Sequence, residues 1–62
     1  MKRPGEHIVL HEWRAAGGAV IQRWDMLGIV LHADPPTDQR GVTGQWVTVF
    51  TTEGCKVRFI GS

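Results

Sequence analysis

The last third of the chain reads as a β-hairpin, and this constrains the fold more than any other feature. Gln45-Trp46-Val47-Thr48-Val49-Phe50-Thr51 and Cys55-Lys56-Val57-Arg58-Phe59-Ile60 are both rich in β-branched and aromatic residues, and Thr52-Glu53-Gly54 separates them. A three-residue loop ending in glycine suits a type I turn whose last residue takes a positive φ, a conformation that costs glycine little. That loop predicts Thr51 opposite Cys55, Val49 opposite Val57 and Val47 opposite Phe59 on one face. Phe50 then meets Lys56, Thr48 meets Arg58 and Trp46 meets Ile60 on the other. The first face is apolar and β-branched and is the expected core. The second sets two large aromatics beside two cations and is the expected contact surface.

With 62 residues the chain is read as one domain, residues 1–62. A domain of this size buries only about 60% of the surface its unfolded chain exposes, so its stability margin is thin. A single cysteine excludes an intramolecular disulfide as the remedy. One thiol and no secretory segment predict a reducing location, in the cytoplasm of a host cell or on a virion, rather than secretion. Apolar runs such as Ile8 to Leu10 and Met26 to Leu31 are strand-length, far below the 18 or so residues of a membrane span, so no membrane partner is expected. Seven basic against six acidic side chains leave a net charge of +1, which does not by itself select a polyanionic partner. Three tryptophans are more than so small a core can hide, and at least one is expected at the surface.

Along the chain, Glu6 to Glu12 has two readings. A strand places Ile8 and Leu10 on one face and His7, Val9 and His11 on the other; a helix begun near Pro4 and ended by Gly17-Gly18 would stripe Ile8, Val9 and Trp13. The strand is favoured. Ala15-Ala16-Gly17-Gly18 reads as a turn, after which Ala19 to Trp24 resumes an extended pattern with Val20 and Gln22 inward. Met26 to Ala33 is a firm strand in which Leu27, Ile29 and Leu31 alternate with Gly28, Val30 and His32. Gly28 within it predicts a bulge or sharp bend. Asp34 to Gly44 reads as a polar loop with two prolines and two glycines. Several short strands broken by turn residues favour a five-stranded, partly open barrel over a sandwich.

The order Pro4-Gly5-Glu6-His7-Ile8-Val9, Leu27-Gly28-Ile29-Val30-Leu31, then Trp46-Val47-Thr48-Val49-Phe50-Thr51 with Glu53-Gly54 and Val57 resembles that of small SH3-like barrels, in particular short phage-encoded ones. The resemblance spans most of the chain and implies an all-β, five-stranded SH3-like fold. It departs from the pattern between Glu12 and Met26, the stretch that carries Trp13 and Trp24. SH3-like barrels host protein, peptide, RNA and DNA binding and virion assembly, so the resemblance brings no functional residue with it.

Chemistry-bearing residues are few. Cys55 starts a strand on the predicted core face with no base nearby, and buried cysteine behaves as a small hydrophobe. His7, His11 and His32 raise a metal hypothesis, but four residues along a strand span about 13 Å, too far for one tetrahedral ion. Asp34 and Asp38 flank a proline pair, which is ordinary turn chemistry. Ser62 is the only serine, tyrosine is absent, and no glycine-rich phosphate loop leads from a strand into a helix. No catalytic residue, metal, cofactor or small-molecule substrate is therefore expected, and an enzyme is not.

The candidate binding residues are Trp46, Phe50, Lys56 and Arg58, extended by Trp24 and Arg40 with Arg23 nearby. Aromatic and arginine side chains anchor interfaces. The expected function is a non-enzymatic binding or assembly module, of phage or mobile-element origin, that works by protein–protein contact or self-association. The alternative from another class is a nucleic-acid-binding barrel that stacks bases on Trp46 and Phe50 and meets phosphates with Lys56 and Arg58. A plainer possibility is that the aromatics close the barrel while the two cations sit solvated at a strand edge.

Overall fold

A computed structural model describes residues 1–61, which form one five-stranded antiparallel sheet with no helix among the described residues. The strands are β1 (His7–Ala16), β2 (Ala19–Ala33), β3 (Thr37–Gln39), β4 (Val42–Thr51) and β5 (Gly54–Gly61). β1 pairs with β2, β2 with β4, and β4 with both β3 and β5. The strand reading of Glu6 to Glu12 holds from His7 onward. Two connections are two-residue turns with positive φ at both central positions, Gly17-Gly18 (59° and 81°) and Arg40-Gly41 (52° and 79°). That geometry is what a type I′ hairpin turn requires.

The inner face follows from alternation. Ile8, Leu10, Met26, Val30, Val47 and Val49 form the buried core, and Trp24, Ala33 and Ile60 pack against it. The sheet coils around this cluster but does not close. β1 and β5 share no ladder, and no Cα of one lies within 8 Å of the other. A side-chain bridge spans the gap instead, from Glu12 on β1 to Arg58 on β5. At the other end the chain start is tied down. Pro4-Gly5 make a turn in which the Glu6 N–H reaches the Arg3 carbonyl (3.2 Å) with Gly5 at φ 91°, the pattern of a type II turn. Gln45, buried on β4, then holds Lys2 through both ends of its amide, receiving the Lys2 N–H and donating to the Lys2 carbonyl, each at 2.9 Å.

Several expectations are corrected. The final hairpin pairs one residue tighter than the loop predicted: Thr51 faces Gly54, Phe50 faces Cys55, Val49 faces Lys56, Thr48 faces Val57, Val47 faces Arg58 and Trp46 faces Phe59. The cause is local. The Thr51 hydroxyl donates to the Gly54 carbonyl (2.8 Å) and accepts the Glu53 N–H (3.0 Å), which closes the chain over Thr52-Glu53 alone. Gly54 keeps the predicted positive φ, at 100°. With a side-chain period of two, this slip turns all of β5 over: Val57 and Cys55 are exposed, while Lys56 and Arg58 lie on the core side.

The bulge in β2 falls at Leu31, where pairing passes from Val30 with Val49 to His32 with Thr48, and not at Gly28. Gly28 instead leaves room for the Val49 side chain packed against it. Val20 and Gln22 are exposed rather than inward. Part of the polar loop is ordered as the β3–β4 hairpin, where the Thr43 hydroxyl donates to Asp38 (2.6 Å).

Candidate functional site

The outer face of the sheet is apolar across four strands. Pairing brings Val9 of β1 beside Leu27, Ile29 of β2 beside Phe50, and Phe50 beside Cys55 of β5; Val57 flanks Thr48, Leu31 follows Leu27 and Ile29 by alternation, and the bulge turns His32, opposite Thr48, to the same side. Leu27 is 61% exposed, Phe50 53% and Val57 55%, and Val9, Ile29 and Leu31 are exposed as well. His7 and Thr52 border a shallow depression between Leu27, Ile29 and Phe50. No lysine, arginine or glutamate lies within this patch; Asp25, paired with His11, and Asp34, paired with His32 opposite Thr48, each at 2.8 Å, mark its margins. Isolated surface hydrophobes are ordinary, whereas a contiguous apolar patch of several hundred Å² on a soluble domain marks an interaction surface.

The residues singled out from the sequence divide between the two faces. Phe50 is central to the outer patch. Trp46 shares its face but is half-buried by Phe59, whose ring meets it edge-on at 5.4 Å and 64°. Gly44 makes room for that ring, since a Cβ there would approach Phe59 Cζ to 2.6 Å. Lys56 and Arg58 lie on the inner side. Their aliphatic stems cover the rim of the core and their charges pair with acids, Lys56 with Glu53 at 3.4 Å and Arg58 with Glu12. Trp24 packs on the inner face opposite Glu12, and its buried indole N–H finds no acceptor among the described residues. Arg40 occupies the β3–β4 turn. The aromatics and cations expected side by side are thus separated by the thickness of the sheet.

The Glu12–Arg58 pair is a fork: Arg58 Nε donates to Oε2 at 3.2 Å and Nη2 to Oε1. Hydrogen bonding from Arg58 holds the Glu12 carboxyl below the usual carboxylate range against the opposing effect of burial, and Glu12 in turn raises Arg58. The remaining titratable pairs are exposed. His11 joins Asp25 and His32 joins Asp34, each at 2.8 Å, so these imidazoles meet carboxylates and not one another.

A second exposed apolar region lies on the part of the β1–β2 hairpin that extends past β4. β4 pairs β2 only from Gly28 onward, leaving residues 11–25 as a two-stranded arm that exposes Trp13, Val20 and Ile21. The chain is correspondingly open. Its radius of gyration is 12.6 Å, against about 11 Å for a compact domain of this length.

Leu27, Ile29, Leu31 and Val9 were not among the residues proposed from sequence. One signal was available: Met26-Leu27-Gly28-Ile29-Val30-Leu31 is apolar at both parities, as a strand covered on both faces would be. No protein-family model, curated protein or solved structure matches the chain.

Proposed function

We propose that this chain is a non-enzymatic binding or assembly module that acts through protein–protein contact. The observation that carries this reading is the apolar outer face around Leu27, Ile29 and Phe50, which holds no lysine or arginine and is exposed across β1, β2, β4 and β5. Such a face is stabilised by burial against another apolar protein surface and offers nothing to a phosphate backbone. In finer terms we place the fold with the SH3-like, partly open barrels: the coiled five-stranded sheet and the ordering of its segments support that placement. Phage or mobile-element origin, in a host cytoplasm or a virion, rests on the same resemblance.

The nucleic-acid alternative loses its main support. It needs cations flanking Trp46 and Phe50, whereas Lys56 and Arg58 are on the opposite side and paired with acids. Measuring the mass of the protein in solution at physiological salt, with and without a short single-stranded oligonucleotide, tests the choice. No oligonucleotide complex is expected. Micromolar binding that weakens steeply with salt would overturn the protein-contact reading.

A further inference from the structure

The open seam between β1 and β5 is bordered by two rows of backbone groups that no strand takes up, and their phase follows from the ladders. The Val30 N–H donates to the Glu6 carbonyl at 2.9 Å, and bonded and non-bonded pairs alternate along an antiparallel ladder. Ile8, Leu10 and Glu12 therefore bond to β2, while Val9, His11 and Trp13 turn their N–H and C=O groups towards the seam. Thr51 and Gly54, on either side of a two-residue turn, start the β4–β5 ladder as a bonded pair. Lys56, Arg58 and Ile60 then bond to β4, and Val57 and Phe59 face the seam from the other side. One contact shows what these groups lack. Arg58 Nη1 donates to the Val57 carbonyl at 2.8 Å, so a side-chain N–H stands where the amide of a neighbouring strand would.

The seam is too wide to pair with itself and has room for one strand. No Cα of β1 lies within 8 Å of β5 among the described residues, whereas paired strands stand about 4.8 Å apart and a strand seated between two others needs about 9.6 Å from edge to edge. The Glu12–Arg58 fork limits the separation to the reach of two side chains. The cleft at the seam is lined by Val9, Leu10, Trp13, Val57, Phe59 and Ile60. Val9 and Val57 also belong to the outer apolar patch, which therefore runs into the seam from both sides.

These backbone rows select the occupant. An apolar surface accepts many partners, but two facing rows of donors and acceptors accept a polypeptide in extended form. A strand already in a sheet, including β1, β3 or β5 of a second copy, has one free edge and satisfies one row. Only a segment free on both edges satisfies two. Resting on the protein-contact reading, we propose that the seam takes an extended peptide segment of a partner protein, which adds as a sixth strand between β1 and β5. Its amide replaces Arg58 Nη1 at the Val57 carbonyl, while Arg58 keeps Glu12 through Nε and Nη2. Beside Val9, Trp13, Val57 and Phe59, the segment should carry apolar, β-branched residues at every second position.

Peptides of about ten residues would be selected from a displayed random library on the immobilised full chain, and the tightest titrated into isotope-labelled protein. The expected complex protects the amides of Val9, His11, Trp13, Val57 and Phe59 from hydrogen exchange, while those of Leu10 and Arg58, bonded already, change little. His11→Pro and Val57→Pro each remove one N–H that faces the seam and none that serves the existing ladders. Each should weaken the peptide about fivefold or more with the fold kept, which circular dichroism checks. Ile21→Ser, on the arm, should leave the affinity unchanged. N-methylation of the peptide, one residue at a time, gives the same answer without altering the protein: a strand seated between two others uses N–H groups on both edges, so methylating any central residue should weaken binding.

Binding that survives methylation at every second central residue would overturn the seam in favour of addition to one edge. Protection confined to Leu27, Ile29 and Phe50 would overturn it in favour of the outer face, and a library that yields no peptide of extended pattern would overturn it outright. Each of these leaves the protein-contact reading in place. Failure of that reading has a separate signature, the oligonucleotide complex described above.

Discussion

Glu12 and Arg58, 46 positions apart in the chain, join the two free edges of the sheet through a forked ion pair where no backbone hydrogen bond does. The pair substitutes for a missing strand ladder. It is also asymmetric in its exposure: the Glu12 side chain is 9% exposed and that of Arg58 39%. Removing Arg58 therefore leaves a covered carboxylate without its counter-charge, while removing Glu12 leaves a guanidinium that water reaches.

The two truncations should differ accordingly. Solvent screening on the Arg58 side keeps the pair well below the worth of a fully buried one. Arg58→Ala is expected to lower stability by about 1–2 kcal/mol and Glu12→Gln by about 1 kcal/mol or less. Urea unfolding of both variants measures this, and a larger loss for Glu12→Gln would contradict the exposure argument.

The pair also gives stability a definite pH dependence. The folded-state carboxyl of Glu12 titrates below its unfolded value, so its contribution is present above the ordinary carboxylate pKa, about 4.3, and is lost as pH falls through the lower folded value. The stability difference between wild type and Glu12→Gln should hold steady from pH 7 to about 5 and close as acid is added below that range. Thermal unfolding from pH 7 to 2.5 tests the sign: a gap that widens in acid would mean that Glu12 is not held ionised by Arg58.

Gly28 is held by packing rather than by backbone conformation. A Cβ at this position would fall 2.3 Å from Val49 Cγ1 and 3.0 Å from the Phe50 carbonyl oxygen. Gly28→Ala should cost about 2–3 kcal/mol through overpacking, a fall in Tm of roughly 10 °C or more for a domain this small. Because Val49 is the nearer neighbour, the double variant Gly28→Ala/Val49→Ala should be less damaged than the sum of the two single ones. Strict additivity would show that the two sites do not press on each other.

How much of this was legible in the sequence depended on the range of the interaction that decided it. Alternation in His7 to Leu10 and Val47 to Thr51 gave correct inner faces, because a half-buried strand writes its burial with a period of two. The Gly54 turn was legible as well. Its register was not, because the deciding contact is the Thr51 hydroxyl closing on Glu53 and Gly54, and a single residue of slip exchanged Val57 for Lys56 and Arg58. Lysine and arginine beside a core look wrong until Glu12 arrives from a strand 46 positions away. Met26 to Leu31, apolar on both sides, held the outer patch in plain view, but local pattern does not say which side the chain itself covers.

Gln45 fixes the start of the chain. Its amide nitrogen donates to the carbonyls of Lys2 (2.9 Å) and Asp34 (3.2 Å), while its oxygen accepts the Lys2 N–H. Gln45→Leu keeps the volume and removes all three bonds, leaving partly covered backbone groups unpaired at about 1–3 kcal/mol. Hydrogen exchange at Lys2 should rise towards the rate of an unstructured amide, and undiminished protection there would show that the segment is held by something other than Gln45.

The hairpin register can be tested by a pair of valines. Val49 is fully buried and faces Lys56, whereas Val57 faces Thr48 on the exposed side. Val49→Ala should lose about 1.5–3 kcal/mol, from apolar transfer plus the cavity left in a small core. Val57→Ala should stay within about 0.5 kcal/mol of wild type. Comparable losses for the two valines in dilute solution would restore the alternative pairing, in which Val57 faces Val49 across the core and Lys56 and Arg58 return to the outer face beside Phe50.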